Sequence, residues 1–468
     1  MGVANALFFS SNSEEETLHR RITPTEAQFQ LQQLRWNDLA DHLRADLSDR
    51  TGRAIRTWLQ GSYKFATQVR PPRKGEEFDI DLGLYFLWHG QPEDGDHTPQ
   101  QLRQHIQDSL KGYAGGVDDV RKVADPKPRC CRIHYDEDFH VDVPCYHLDS
   151  ERDRRTLATG HGWEESDPKA LYKWFKESFA DDERARVRRL IRYMKTWAGL
   201  QFKIEEGGRP SSVVLTVLVA EAVAAMTREE RSLADDDLLH VTLSRVRTRL
   251  ATSLAVQNPI DRTENLNRLS DAAAQTFKDA LKDFHATAED AVSAEDEITA
   301  ADIWSRAFQH FFPMPAVDAV SLSESSGSLS KALAVSEPLP NIAIKAISET
   351  NPRLSYSGIN RIGPIPKDCS ISFVVERPDL LAAGTTVEWV ARNQGMEAEA
   401  QNDMGHRGRT GFTWNDYSAY SGTHIMDVLF RRNGRLVGLR RVPVTITGLA
   451  APRRNPPKPA WVTLRGRR

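Results

Sequence analysis

The sequence predicts an α+β protein: a mixed strand-and-helix core, a helical lobe, and an all-β C-terminal domain. Three observations predict this. Short apolar runs with strand character, such as "AIRTWLQ" (54–60) and "FDIDLGLYFL" (78–87), fill the first third of the chain. From about residue 165 the apolar residues recur at helical spacing. Past a serine-rich stretch strand-like runs return, and Asn433-Gly434 is a strong hairpin signal. The chain has 468 residues, 40% hydrophobic and 27% charged, with a net charge of -3. That suits a soluble protein of several domains and excludes a general attraction to polyanions, so any polyanion site must be local.

In chain order, Thr23-Pro24 reads as an N-cap and N1 proline opening a helix over about 24–48, with Phe29, Trp36, Leu39, Leu43 and Leu47 on its apolar face. "RCCRIHY" and "FHVDVPCYH" read as two strands joined at the polar turn Asp136-Glu137-Asp138. "ERARVRRLIRYMKTWAGL" places Val187, Leu190, Ile191, Met194 and Trp197 on one helix face and Arg188, Arg192 and Lys195 on another. "SSVVLTVLVAEAVAAM" is apolar nearly all round, as in a buried helix, and helical segments continue to about 312. Six serines lie between 321 and 330, with prolines following at 338 and 340. The expected divisions are a core over 1–165, a helical lobe over 166–315, a Ser/Pro-rich linker over 316–344, a β-rich domain over 345–449, and a basic, disordered tail over 450–468. Four cysteines without metal-ligand spacing fit a reduced, cytoplasmic setting. The N-terminal "MGVANALFF" is too short for a membrane span and has no basic residues before it, so no membrane insertion is expected.

Asp79 and Asp81 stand two residues apart, which puts both on one face of an apolar strand. Bare, they repel and raise each other's pKa. A divalent cation removes that conflict, and oxygen ligands suit Mg²⁺. Asp142, in "FHVDVPCY", supplies a third carboxylate if its strand lies beside the first. Such a trio can hold two metals for in-line phosphoryl transfer, one activating a ribose hydroxyl and the other the departing pyrophosphate. Gly61 permits close backbone approach, and Ser62 with nearby amides can hold phosphate oxygens.

The order of these features resembles the nucleotidyltransferase superfamily related to polymerase β. Gln60-Gly61-Ser62, "FDIDLGLYF", "FHVDVPCY", "DPKALYKWF", "RRLIRYMKTWAGL", "RPSSVVLTVLVAEAV" and "NPIDRTENLNRLS" narrow it to bacterial CD-NTases, closest to the cyclic GMP-AMP synthase branch, over about residues 20–312. The resemblance implies a polymerase β-like core and template-independent synthesis of a cyclic nucleotide signal from ATP and GTP. Two Mg²⁺ or Mn²⁺ ions per site, a role in anti-phage defence and a separate effector protein that reads the product are also implied. Asp79, Asp81 and Asp142 match the metal-binding carboxylates, and Gln60 and Ser62 the donor-nucleotide contacts. Lys195 matches the triphosphate lysine. Ser211 or Ser212 corresponds to a nearby hydroxyl, and Asp261 resembles a base or ribose contact. The alternative for Lys195 and its arginine neighbours is a solvated basic face. For Asp261 it is a helix N-cap before "RTENL". Arg129 or Arg132 could reach a nucleotide. His134, His140 and Trp197 read as packing or strand-surface residues.

The β-rich region, through "EWVARNQG" and "NDYSAYSGTHIMDVLF", resembles the adenylyl/guanylyl and SMODS C-terminal sensor domain, which implies a nucleotide or protein ligand. Trp389, Asn393, His406, Tyr420 and His424 are its candidate lining; the alternative places Trp389 in the core. Some relatives are conjugated through a small C-terminal residue; Arg467-Arg468 stands here instead. Two competing functions remain at this level: synthesis of linear oligonucleotides from ATP or dATP, and a non-catalytic nucleotide sensor or scaffold. The presence of all three carboxylates argues against the latter.

Overall fold

The computed structural model describes residues 2–12, 15–73, 75–136, 138–203, 206–321 and 339–450. Most of the serine-rich stretch and the basic tail from 451 lie outside the described residues, as does Glu137 of the expected turn. The chain forms two compact units, Met1–Asp296 and Glu297–Arg468.

The first unit is built on an eight-stranded mixed sheet. Its strands are β1 (Ile55–Gln60), β2 (Phe78–Leu87), β3 (Val120–Val123), β4 (Cys131–Tyr135), β5 (Phe139–Val143), β6 (Cys145–Asp149), β7 (Arg154–Thr159) and β8 (Gly162–Glu165). The order is β3-β4-β5-β2-β6-β7-β8, with β1 also on β2. "FHVDVPCYH" is therefore two strands rather than one. Pro144 has no N–H for the ladder, so pairing breaks there. β5 runs parallel to Phe78–Asp81, and β6 runs parallel to Leu84–Leu87. The helices Glu26–Thr51 and Pro99–Ala114 close one face over a core that includes Leu39, Leu43, Ile80, Leu102, Ile106 and Val141.

The first long helix starts later than Thr23-Pro24 suggests. Thr25 is its N-cap and forms a capping box with Gln28, and Phe29 is left largely exposed. The helix Asp181–Gln201 buries Val187, Leu190, Ile191, Met194 and Trp197 as its spacing predicts, and Ser212–Ala224 is buried nearly all round. The N-terminal apolar patch is core: Phe8 is fully buried, and its carbonyl accepts from the Tyr193 hydroxyl at 3.2 Å.

The second unit starts at Glu297, so the helix Glu297–Phe308, expected in the helical lobe, belongs with the β-rich part. Arg431 ties it there through an ion pair to the buried Asp302. The strands are β9 (Ala319–Ser321), β10 (Ile342–Ser348), β11 (Ser355–Ile359), β12 (Ile362–Lys367), β13 (Cys369–Val375), β14 (Thr385–Arg392), β15 (Gly405–Arg407), β16 (Thr413–Tyr417), β17 (Gly422–Arg432) and β18 (Arg435–Ala450). They form a four-stranded sheet, β11-β10-β13-β16, and a six-stranded one, β12-β18-β17-β14-β15 with β9 on β18. The two sheets share a core around Trp389, Phe373, Val428 and Val442. Asn433 and Gly434, both at positive φ, turn β17 into β18. Among the described residues, no helix is long and apolar enough to cross a membrane.

Candidate active site

Register brings the acidic residues together. Asp79 pairs with His140, and Asp81 with Asp142, across the parallel β2–β5 ladder. Alternation puts Glu77, Asp79 and Asp81 on one face, beside His140 and Asp142. Glu77, Asp79, Asp81 and His140 floor a cleft of about 870 Å³, bounded by the Gly61-Ser62 turn, Lys195 and the Ser211-Ser212 start of a helix, while Asp142 lies beside them, outside its lining and under Arg132. Asp261 lies elsewhere: it is exposed, outside this lining, and its Oδ1 accepts from the Thr263 N–H at 3.0 Å and hydroxyl at 2.7 Å. It is not a helix N-cap either, since the next helix begins at Asp271.

The carboxylates are not equivalent. Asp79 is half exposed, whereas Asp142 is buried. Burial and the charges of Asp79 and Asp142 push the Asp81 carboxyl well above the usual range; His140 and Arg132 oppose this. Burial also raises Asp142, but Arg132 outweighs it and holds that carboxyl below its ordinary value. Arg132 forks onto Asp142, with Nη2 2.7 Å from Oδ2 and Nε on Oδ1. Asp79, His140 and Asp142 each offer a ligand atom within 4.8 Å of the others. Asp81 turns its Oδ2 toward Gly61, where an added Cβ would lie 1.8 Å from it. Gly61 is thus required twice, by this approach and by its φ of +56°. Asp79 and Asp81 on the cleft floor, with Asp142 beside them across the ladder, are an oxygen donor set that fits hard divalent cations.

Gln60 borders the cleft, and its side-chain amide is engaged by two tyrosines. Its Nε2 donates to the Tyr85 hydroxyl at 2.8 Å, and its Oε1 accepts from Tyr146 at 3.2 Å. Those rings stack at 4.8 Å. This buried network, at one end of β1, holds the side chain that precedes the Gly61-Ser62 turn.

The basic stripe on Asp181–Gln201 is not a solvated face. Arg188 Nε donates to Phe65 O at 2.9 Å, and Arg192 Nε to Gln68 O at 3.2 Å. Lys195 Nζ donates to Thr67 Oγ1 at 2.9 Å and Thr67 O at 3.3 Å. Burial, then Arg192, lowers the Lys195 pKa to about 7, against the pull of Asp81 and Asp79. Arg209 adds a fork onto Glu76 at 2.7 and 3.0 Å and a bond to Gly199 O at 3.1 Å; Arg73 Nη2 donates to Leu200 O at 2.5 Å. Phe65, Thr67, Gln68, Arg73 and Glu76 are therefore fastened to the helical part, partly through main-chain oxygens and partly through side chains.

Sequence reasoning left Arg132 as one of two options, gave His140 no chemical part and passed over Glu77. Signals existed for all three. Arg132 and Asp142 are equidistant from the turn at 137, as are His134 and His140, so an antiparallel hairpin sets each pair side by side, as observed. Glu77 continues the two-residue period of Asp79 and Asp81. Arg129 pairs instead with Glu164. In the second unit, Trp389 is core, its Nε1 donating to Gly411 O at 2.8 Å. Asn393, His406, Tyr420 and His424 do line a cavity of about 160 Å³, together with Asp403 and Asp416.

Comparison with known proteins agrees with both units. Residues 55–146 match the nucleotidyltransferase domain of DncV-like cyclic GMP-AMP synthases, and 325–447 match the adenylyl/guanylyl and SMODS C-terminal sensor domain. The chain is 27% identical to the cyclic GMP-AMP synthase of Escherichia albertii over 454 residues, 96% of this chain and 97% of that relative. It is 30% identical to that of Escherichia coli over 224 residues, 38% of this chain and 49% of the relative. In fold, it is similar to the crystal structure of Vibrio cholerae DncV cyclic AMP-GMP synthase at a TM-score of 0.55 and 19% identity, covering 66% of this chain and 97% of that one. The chain thus joins a DncV-like nucleotidyltransferase domain, homologous to those of cyclic GMP-AMP synthases, to an adenylyl/guanylyl and SMODS C-terminal sensor domain.

Proposed function

We propose that this cleft joins ATP and GTP, without a template, into a cyclic GMP-AMP-like dinucleotide that a separate effector protein reads in anti-phage defence. One observation carries the reading: strand register sets Asp142 beside Asp81, which lies with Asp79 on the cleft floor and against the Gly-Ser turn. Similarity to a cyclic GMP-AMP synthase along 96% of the chain supports the product class.

Asp79, Asp81 and Asp142 would hold two divalent cations, Mg²⁺ or Mn²⁺. What those ions supply when bound is activation of the attacking ribose hydroxyl and neutralisation of charge on the departing pyrophosphate. The chain's own groups do the rest. Arg132 keeps Asp142 ionised. Gly61 leaves room for Asp81 beside the turn. The Ser62, Ser211 and Ser212 hydroxyls, all on the cleft wall, bind phosphate oxygens. Lys195, poised near neutrality while no anion is present, takes up a proton as a triphosphate arrives and donates to it.

The test is incubation with the four ribonucleoside triphosphates and dATP, with Mg²⁺ or Mn²⁺, followed by mass spectrometry. A cyclic product containing G and A supports the reading. A linear oligomer, or no product under any ion, overturns it. Asp79→Asn should cut pyrophosphate release by roughly 100-fold or more, the scale of losing one electrostatic contact to the reacting groups. Plaque counts in cells carrying wild type or Asp79→Asn test the defence role; equal counts refute it.

A further inference from the structure

Beside the carboxylates lies a second group of a different chemistry. Glu77 Oε2 is 2.7 Å from His134 Nδ1 and 2.8 Å from His140 Nδ1. The two histidines face each other across the β4–β5 ladder. All three side chains are largely buried, at 12% exposure for His134, 9% for His140 and 13% for Glu77. Arg121 holds the other Glu77 oxygen, which fixes the carboxylate in place. Each residue also offers one ligand atom within 4.8 Å of the other two.

Two imidazole nitrogens and one carboxylate oxygen within ligand reach of one another are not a Mg²⁺ donor set. They are the set that selects a borderline transition cation and leaves open positions toward solvent or substrate. We propose that Glu77, His134 and His140 form a separate binding site for a divalent transition cation of the zinc type, lying on the cleft wall next to the catalytic carboxylates. His140 links the two sites. With Nδ1 on the cation, its Nε2 faces Asp79 Oδ1, 2.9 Å away though outside hydrogen-bond geometry, so the two sites touch through this ring. The site stands on these three residues and does not depend on which nucleotides the enzyme joins.

The probe is Co²⁺, whose visible bands report nitrogen ligation. Untagged, metal-stripped full-length protein is titrated with Co²⁺ in excess Mg²⁺, which occupies oxygen-only sites. A His89→Ala background silences the exposed His89–Asp149–Glu151 group. The expected result is one equivalent of Co²⁺ that Mg²⁺ does not displace. His134→Ala and Glu77→Gln should each weaken it by about 10- to 100-fold or more, and Asp142→Asn should leave it in place. Should His134→Ala fail to fold, Glu77→Gln, which keeps the side-chain shape, decides. The proposal is overturned if no Mg²⁺-resistant Co²⁺ binds or if neither variant weakens it. Loss on Asp142→Asn alone would place the ion in the Asp79–His140–Asp142 group and also overturn it.

Discussion

Replacing Lys195 with methionine isolates the cost of keeping an amine ready for a triphosphate. The side chain is buried, and its pKa falls from 10.5 to about 7, first through burial and then through Arg192. A drop of that size corresponds to ~5 kcal/mol of unfavourable free energy for the charged form. The sign follows from proton binding. Below about pH 7 the lysine is charged in both folded and unfolded chains, so the whole cost weighs on the fold. As pH rises from about 7 toward 10.5, the folded lysine is neutral while the unfolded one stays charged, and the cost fades. It is ~5 kcal/mol near pH 6 and ~2 kcal/mol near pH 9. Lys195→Met also loses the bonds to Thr67, worth about 1 kcal/mol together at either pH. Urea denaturation of the nucleotide-free protein should therefore find the variant more stable near pH 6, with its advantage shrinking by about 3 kcal/mol near pH 9. Nucleotide binding near pH 7 should draw protons from the buffer in wild type, read as a buffer-dependent enthalpy, and not in the variant. A stability gap that does not change with pH would refute the reasoning.

Three other perturbations test separate parts. Gly61→Ala must place a Cβ 1.8 Å from the Asp81 carboxylate and hold alanine at a φ of +56°, so activity should collapse and stability fall by at least 1–2 kcal/mol, the cost of the left-handed conformation alone; normal turnover would show that Asp81 need not sit there. Arg132→Gln leaves the buried Asp142 without its fork, which should cost about 3–5 kcal/mol at neutral pH and move the acid limb of the pH–rate profile upward, because removing the cation raises that carboxyl. In the β-rich unit, Asp427 is fully buried between Arg392 and Arg441, which hold its pKa down against burial. Asp427→Asn should destabilise by about 3–5 kcal/mol, read in urea melts, since the buried Arg392 and the partly buried Arg441 lose a shared counter-charge.

Much of this was open to sequence reasoning because two periods carry it. Alternation in "FDIDLGLYFL" and "FHVDV" put the carboxylates on one face, and the spacing of Val187, Leu190, Ile191, Met194 and Trp197 marked a buried helix stripe. What alternation could not show was a strand that ends without a turn: Pro144 divides one apolar run into β5 and β6, each on a different stretch of β2. β3 and β7 are short and rich in basic residues, so no apolar rhythm announced them. The helix Glu297–Phe308 has the same periodicity as its predecessors, and periodicity identifies a buried face without naming what covers it. At the site, hairpin symmetry about residue 137 made Arg132 and His140 legible in principle. The bond from Lys195 to Thr67 was not, because it depends on the tertiary path of a loop between two elements.

That loop, 65–76, is held by guanidinium and ammonium groups that grip peptide carbonyls at Phe65, Thr67 and Gln68. Every amino acid carries such an oxygen, proline included. At Phe65 and Gln68 the residue can therefore change over evolutionary time without rerouting the backbone beside the catalytic strand, whereas Thr67, Arg73 and Glu76 anchor through their own side chains as well. A lineage can retune the chemistry of the cleft wall by ordinary point substitution while the anchoring arginines stay where they are.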